Sequence, residues 1–113
     1  MNKIILSGRL ATDITLSELP NEQKTKKAVF TLAVDRVPGT AKQKSDFFSC
    51  EVFNSLAESS SKYLHKGSKI ILEGAMNIDV VESESENGKV YKSYPKERGT
   101  NIEFIDSIKR GEE

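Results

Sequence analysis

Asp46-Phe47-Phe48-Ser49-Cys50-Glu51-Val52-Phe53 is the stretch that decides how this chain is read. On a β-strand, successive side chains point to opposite faces. One face then carries Phe48, Cys50 and Val52, all suited to a core. The other carries Phe47, Ser49, Glu51 and Phe53, which places two phenylalanine rings among polar neighbours. A strand buried on both sides would show the same two apolar sets. Ser49 and Glu51 argue against that, because a buried carboxylate needs a partner. An aromatic ring left on a polar face suits a flat ligand, and unpaired bases are flat; each stacked base is worth about 1–3 kcal/mol.

Outward from this strand the chain reads as a succession of short strands. Ile4 to Leu10 is an apolar, β-branched run that predicts a first strand. Asp13 to Leu19 alternates loosely and continues the sheet past a bend at Gly8. Leu19-Pro20-Asn21-Glu22 signals a turn. Lys27 to Val34 predicts the second strand, with Phe30, Leu32 and Val34 toward the core and Val29, Thr31 and Ala33 opposite. Asp35 to Ser45 reads as a basic loop around Pro38 and Gly39, and Asp46 to Phe53 is the third strand.

Ser55-Leu56-Ala57-Glu58 has the form of a capping box, in which Ser55 would start a helix running through Leu64. Leu56 and Leu64 would be its buried residues, and Gly67 would close it. Ser68 to Val81 predicts a long fourth strand with a bend or bulge at Gly74. Asn87-Gly88 is a tight-turn pair, and Val90 to Tyr94 forms the returning arm. Pro95 to Thr100 reads as a loop and Asn101 to Ile108 as the last strand. The order is all-β with one short helix. It fits an OB-fold, a five-stranded Greek-key barrel with a long hairpin between the fourth and fifth strands.

Composition narrows the function. The 113 residues fit one domain, read as an OB-fold over 1–108 with a short end at 109–113. The formal net charge is zero, from 17 basic and 17 acidic residues, which is not the balance of a duplex-DNA binder. A local groove can still be positive, and lysines cluster at Lys24, Lys26 and Lys27 and again at Lys42 and Lys44. Cys50 and His65 are the only cysteine and histidine, so there is no internal disulfide and no metal-ligand pattern. No stretch approaches the roughly 20 apolar residues that span a membrane. Met1 to Gly8 holds too short an apolar run for a signal peptide. The expectation is a soluble cytoplasmic domain without cofactor, metal or membrane partner. A catalytic role has no visible carrier: Glu82, Glu84 and Glu86 read as a solvated hairpin tip, and Arg9, Arg36, Arg98 and Arg110 are scattered.

Five blocks carry a resemblance. Met1 to Leu10 (MNKIILSGRL), Phe30 to Arg36 (FTLAVDR), Asp46 to Cys50 (DFFSC), Tyr63 to Ser68 (YLHKGS) and Glu73-Gly74 together resemble the bacterial and phage single-stranded DNA-binding proteins, in family order and at family spacing. The resemblance implies a homo-oligomer, commonly a tetramer with a homodimer as the smaller alternative, that coats single-stranded DNA in replication, recombination or repair. It implies that Phe47 and Phe53 stack bases. It implies that Ser49 lies between them where some members are basic, and that Thr31 and Ala33 line the same surface. It implies that the strand around Lys3, Ile5 and Ser7 pairs subunits, hiding an open sheet edge. Phosphate contacts would come from Lys24, Lys26, Lys27, Arg36, Lys42, Lys44, Lys89, Lys92 and Lys96, with Tyr91 either stacking a base or bracing the hairpin.

The chain also departs from the family. It has no tryptophan, Glu51 puts a carboxylate on the proposed face, and Asn77, Asp79 and Val81 stand where the family tends to be basic or aromatic. The family's long acidic tail is not seen after Glu113, so tail-mediated recruitment of repair proteins is not expected, and a compact version suits a phage, plasmid or other mobile element. The rival reading is a protein-interaction module on the same barrel, with weak or no DNA binding.

Overall fold

The structure, a computed structural model, describes residues 1–36 and 44–105. Its elements in chain order are β1 (Ile4–Leu10), β2 (Thr15–Glu18), β3 (Lys26–Asp35), β4 (Ser45–Phe53), α1 (Asn54–Tyr63), β5 (Lys69–Ser85) and β6 (Gly88–Phe104). The last strand ends at Phe104; Ile105 follows as a bend, and 106–113 lie outside the described residues.

The sheet closes on itself. Its order is β1-β5-β6-β4-β3-β2, and β1 also pairs with β3, which joins five strands in a ring. All pairings are antiparallel except β4 with β6, where Cys50 faces Glu97 and Glu51 faces Arg98 in parallel. β1 meets β3 at Arg9↔Ala33 and Leu10↔Leu32. β2 then runs along the same strand from Thr15↔Val29 to Glu18↔Lys26, so β1 and β2 are two halves of one bent strand.

The bend lies after Leu10, not at Gly8. Gly8 serves the crossing with β3: a Cβ there would come within 2.2 Å of the Ala33 carbonyl oxygen. Glycine is what lets another backbone approach so closely. The irregularity expected at Gly74 is present as a register shift between Glu73 and Gly74.

One cluster fills the barrel: Leu6, Leu10, Ala28, Phe30, Leu32, Cys50, Val52, Ala57, Leu64, Ile70, Leu72 and Ile102, with Val34, Phe48, Leu56 and Phe104 packed against it. The alternation read from β3 and β4 therefore sets the core side of both strands. A buried Leu, Val or Phe contributes roughly 1.5–3 kcal/mol, so these two strands supply much of what holds the barrel closed.

Three local readings are corrected. Ser55 does not cap the helix: α1 begins at Asn54, Phe53 holds the N-cap position, and no side chain bonds there. Asn54 takes a φ of +56°, a left-handed conformation that asparagine tolerates, and turns β4 directly into α1. Ser55 consequently falls inside the first turn.

Gly67 does not end the helix, which stops at Tyr63. It sits in a following turn where the Ser68 amide donates to the His65 carbonyl at 2.9 Å, and its φ of +95° is what that turn needs. Pro95 to Thr100 is strand, not loop. Pro95 pairs with Ile78, at a level where, among the described residues, β6 has β5 as its only neighbour, so a missing N–H breaks no second ladder.

Glu97 is the anomaly of the core. It is 1 % exposed, and its Oε1 has no hydrogen-bond partner. Its ladder partners are Cys50 and Met76. Burial holds the Glu97 carboxyl above its ordinary range. The Cys50 thiol is pushed up to about 12, first by burial and then by the Glu97 charge.

Candidate nucleic-acid interface

Directly opposed residues of an antiparallel pair point to the same side. The β3–β4 ladder pairs Lys27↔Phe53, Val29↔Glu51, Thr31↔Ser49 and Ala33↔Phe47, and this side is the outside of the barrel. Thr15 and Ser17 extend it through β2, Arg98 through β6 and Arg9 through β1. The result is a shallow surface of small and polar residues.

Phe47 stands open on this surface at 63 % exposure, opposite the small Ala33. Ser49 is exposed and Thr31 partly covered. Phe53 differs. It is half-buried, and the Arg98 guanidinium lies over its ring, 4.5 Å from the centroid. Such a stacked cation is itself a flat, donor-rich platform.

The cations are placed unevenly. Lys27 Nζ is 3.3 Å from Glu51 Oε1. Lys26 lies on the other side of β3 and is 3.9 Å from Glu18. Lys24 is exposed in the turn before β3, with a φ of +52°. Arg36 donates from Nε and Nη2 to Asp46 Oδ1 at 2.9 and 2.7 Å. That bond holds the Asp46 carboxyl below its usual range and raises Arg36. Lys44 is exposed just before β4, and its carbonyl accepts from the Arg36 amide at 2.8 Å. Lys42 lies outside the described residues.

The hairpin candidates divide between two sides of the ribbon. Lys92 alternates in phase with Tyr94, Lys96 and Arg98, the side that leads from the outer face. Lys89 and Tyr91 are in phase with Glu97, the side that leads from the core. Lys89 sits 3.5 Å from Glu82, and Tyr91 is exposed.

Reading the sequence for sites counted Lys96 among the hairpin phosphate contacts but passed over Arg98 and Tyr94. The signal was present: Tyr94, Lys96 and Arg98 recur at every second position, and only the assignment of Pro95 to Thr100 as loop hid it. Lys3, Ile5 and Ser7 are all exposed on one side of β1, with Lys3 Nζ 2.8 Å from Glu73. β1 pairs with β5 from Ile4 to Arg9 but meets β3 only at Arg9 and Leu10. The Ile4-to-Gly8 edge therefore has no partner strand among the described residues. No group of three or more His, Cys, Asp or Glu that could hold a metal ion occurs among them either, and no helix is long and apolar enough to cross a membrane.

The family model described as "Single-strand binding protein family" matches residues 1–97. The chain belongs to that family. The single-stranded DNA-binding protein of Onion yellows phytoplasma is 37 % identical over 89 residues, covering 77 % of this chain and 81 % of that protein. The Fusobacterium nucleatum protein of the same name is 34 % identical over 117 residues, covering 99 % and 68 %. The one from Thermotoga maritima is 42 % identical over 85 residues, covering 68 % and 56 %.

Among solved structures, the Plasmodium falciparum SSB complex with ssDNA superposes with a TM-score of 0.75 at 23 % identity, covering 94 % of this chain and 96 % of that one. A deletion mutant of the Thermus aquaticus single-stranded DNA-binding protein gives 0.70 at 23 %, covering 100 % and 45 %. At that identity the likeness establishes the fold, an OB barrel, and agrees with the ring of strands described above.

Proposed function

We propose that this chain binds single-stranded DNA without reading its sequence, as a homo-oligomer, in replication, recombination or repair. The observation that carries the reading is Phe47, a large ring standing open on a face of small and polar residues in a chain of this family. Bases would stack on Phe47 and on the Phe53–Arg98 pair. Phosphates would follow Lys27, Lys92, Lys96 and Lys44, with Lys24 at the margin. The unpartnered edge of β1 supports pairing between copies through Lys3, Ile5 and Ser7, giving a dimer that doubles to a tetramer.

The action is binding alone, with no catalytic step and no cofactor, and its setting is the bacterial cytoplasm. The curated relatives named above are bacterial and lend no weight to a phage or plasmid source. The rival protein-interaction module drew on the missing tryptophans and on Glu51 and Asp79 as carboxylates hostile to DNA. Each faces a lysine, Glu51–Lys27 at 3.3 Å and Asp79–Lys96 at 3.6 Å, so neither presents a bare negative charge.

The test is a titration of fluorescent oligo-dT followed by anisotropy. Saturable binding that weakens with salt is expected, since neutralised phosphates release counterions. No binding at low salt would overturn the reading.

A further inference from the structure

Glu51 stands near the centre of the proposed face, where a surface for a polyanion has least use for a carboxylate. It is well covered, with its side chain 13 % exposed, and it holds Lys27, itself 27 % exposed, at 3.3 Å. The pair borders a cavity of about 190 Å³ that Val29, Ser49 and Lys96 also line. The neighbouring cations are engaged elsewhere: Arg98, opposite Glu51 in register, lies over Phe53, and Lys96 faces Asp79 at 3.6 Å. Phe53, Val29 and Ser49 surround the pair on the β3–β4 ladder, so a strand crossing from Phe47 to Phe53 passes over it.

We propose that the Lys27–Glu51 pair is an internal competitor for the DNA phosphate, which weakens binding at the centre of the face and makes it less salt-dependent than the lysines imply. This rests on the single-stranded DNA reading above. A lysine in solution carries mobile counterions, and exchanging them for phosphate drives binding. Lys27 instead carries a fixed counterion. A phosphate that reaches it must displace the carboxylate, releases no salt in doing so, and leaves a negative charge beside itself. Partial burial keeps that repulsion from being screened away. The device makes the centre of the site easy to vacate, which suits a protein that must be displaced from the strand it covers.

The test compares wild type, Glu51→Gln, Lys27→Gln and the double variant against oligo-dT and oligo-dC from low to moderate salt, with thermal melts confirming each fold. Glutamine keeps the shape and a carbonyl acceptor while removing the charge. Glu51→Gln is expected to bind both oligonucleotides about two- to fivefold more tightly at low salt, within reach of one partly shielded ion pair. Its plot of log affinity against log salt should steepen by about 0.7, one further phosphate on a single strand.

Lys27→Gln should weaken binding more when Glu51 is already Gln than when it is present. Equal or weaker binding by Glu51→Gln, on wild type that binds well, overturns the competitor and leaves the DNA reading intact. A loss confined to oligo-dC would make Glu51 a reader of base amino groups instead, and also overturns it. If neither wild type nor Glu51→Gln binds either strand, both readings fall together.

Discussion

At the scale of single residues, two side chains carry the argument, and one of them is out of place. Phe47 is open, small-walled and stiff, so replacing it with alanine removes a stacking platform without unpacking the core. Phe47→Ala is expected to weaken oligo-dT binding by about 1–3 kcal/mol while leaving the melting temperature within a few degrees of wild type. Unaltered anisotropy titrations would remove Phe47 from the site.

Glu97 is the residue out of place. Burial raises its folded-state pKa above its unfolded value near 4.5, so between those two values the folded chain binds the extra proton. Stability therefore falls as pH rises through that window and stays lower above it. Glu97→Met fills similar space without a charge. It should stabilise the fold by about 1–3 kcal/mol at neutral pH, with a gain that is small near pH 4 and grows as pH rises. Denaturant melts of both proteins from pH 4 to 8 measure this; a gain independent of pH would mean that ionisation is not its source.

At the scale of elements, the barrel and the hairpin have separate duties. Gly8 and Ala33 mark the crossing that closes the ring, and a Cβ at residue 8 would meet the Ala33 carbonyl first, at 2.2 Å, and the Val34 side chain at 3.3 Å. Gly8→Ala should cost about 1–3 kcal/mol or more, seen as a lower denaturant midpoint. An unchanged midpoint would show that β1 has room to shift. Among the described residues, the hairpin beyond Asn77 and Lys96 pairs only with itself. Replacing residues 80–93 by a short turn should leave the barrel's thermal transition nearly intact. The same change removes the Lys92 phosphate contact and should weaken oligo-dT binding at low salt, with a salt slope shallower by about 0.7. Loss of the folded barrel would instead make the hairpin part of the core's support.

The strands themselves were legible in the sequence because period-two patterning in β3 and β4 sets which side is buried. The helix start was not legible. A capping box is a local signal, and the chain used Asn54 in a left-handed conformation to turn sooner. Pro95 misled for the same kind of reason: proline excludes a strand only where a second neighbour needs its N–H.

At the scale of the whole molecule, the unpaired Ile4-to-Gly8 edge is the feature that a single copy leaves unresolved. Light scattering is expected to give the mass of two or four chains, and Ile5→Asp, placed on that exposed strand, should shift it toward one. A monomeric wild type would overturn pairing through β1. Reading the sequence placed Lys24 to Lys27, Lys42, Lys44 and the hairpin lysines in one phosphate-following set, with Tyr91 beside them. The fold divides them, because a side chain's direction depends on strand register, and register is set by partners distant in sequence.

Neighbouring residues alone fix the core side of β3 and β4, the family resemblance and the outward placing of Phe47, since alternation along a strand and blocks in family order are local properties. Only the tertiary structure decided that Arg98 covers Phe53, that Lys27 is held by Glu51 and that Glu97 is sealed beneath them. Those three facts join β3, β4 and β6, strands whose adjacency arises when the sheet closes into a ring and not before.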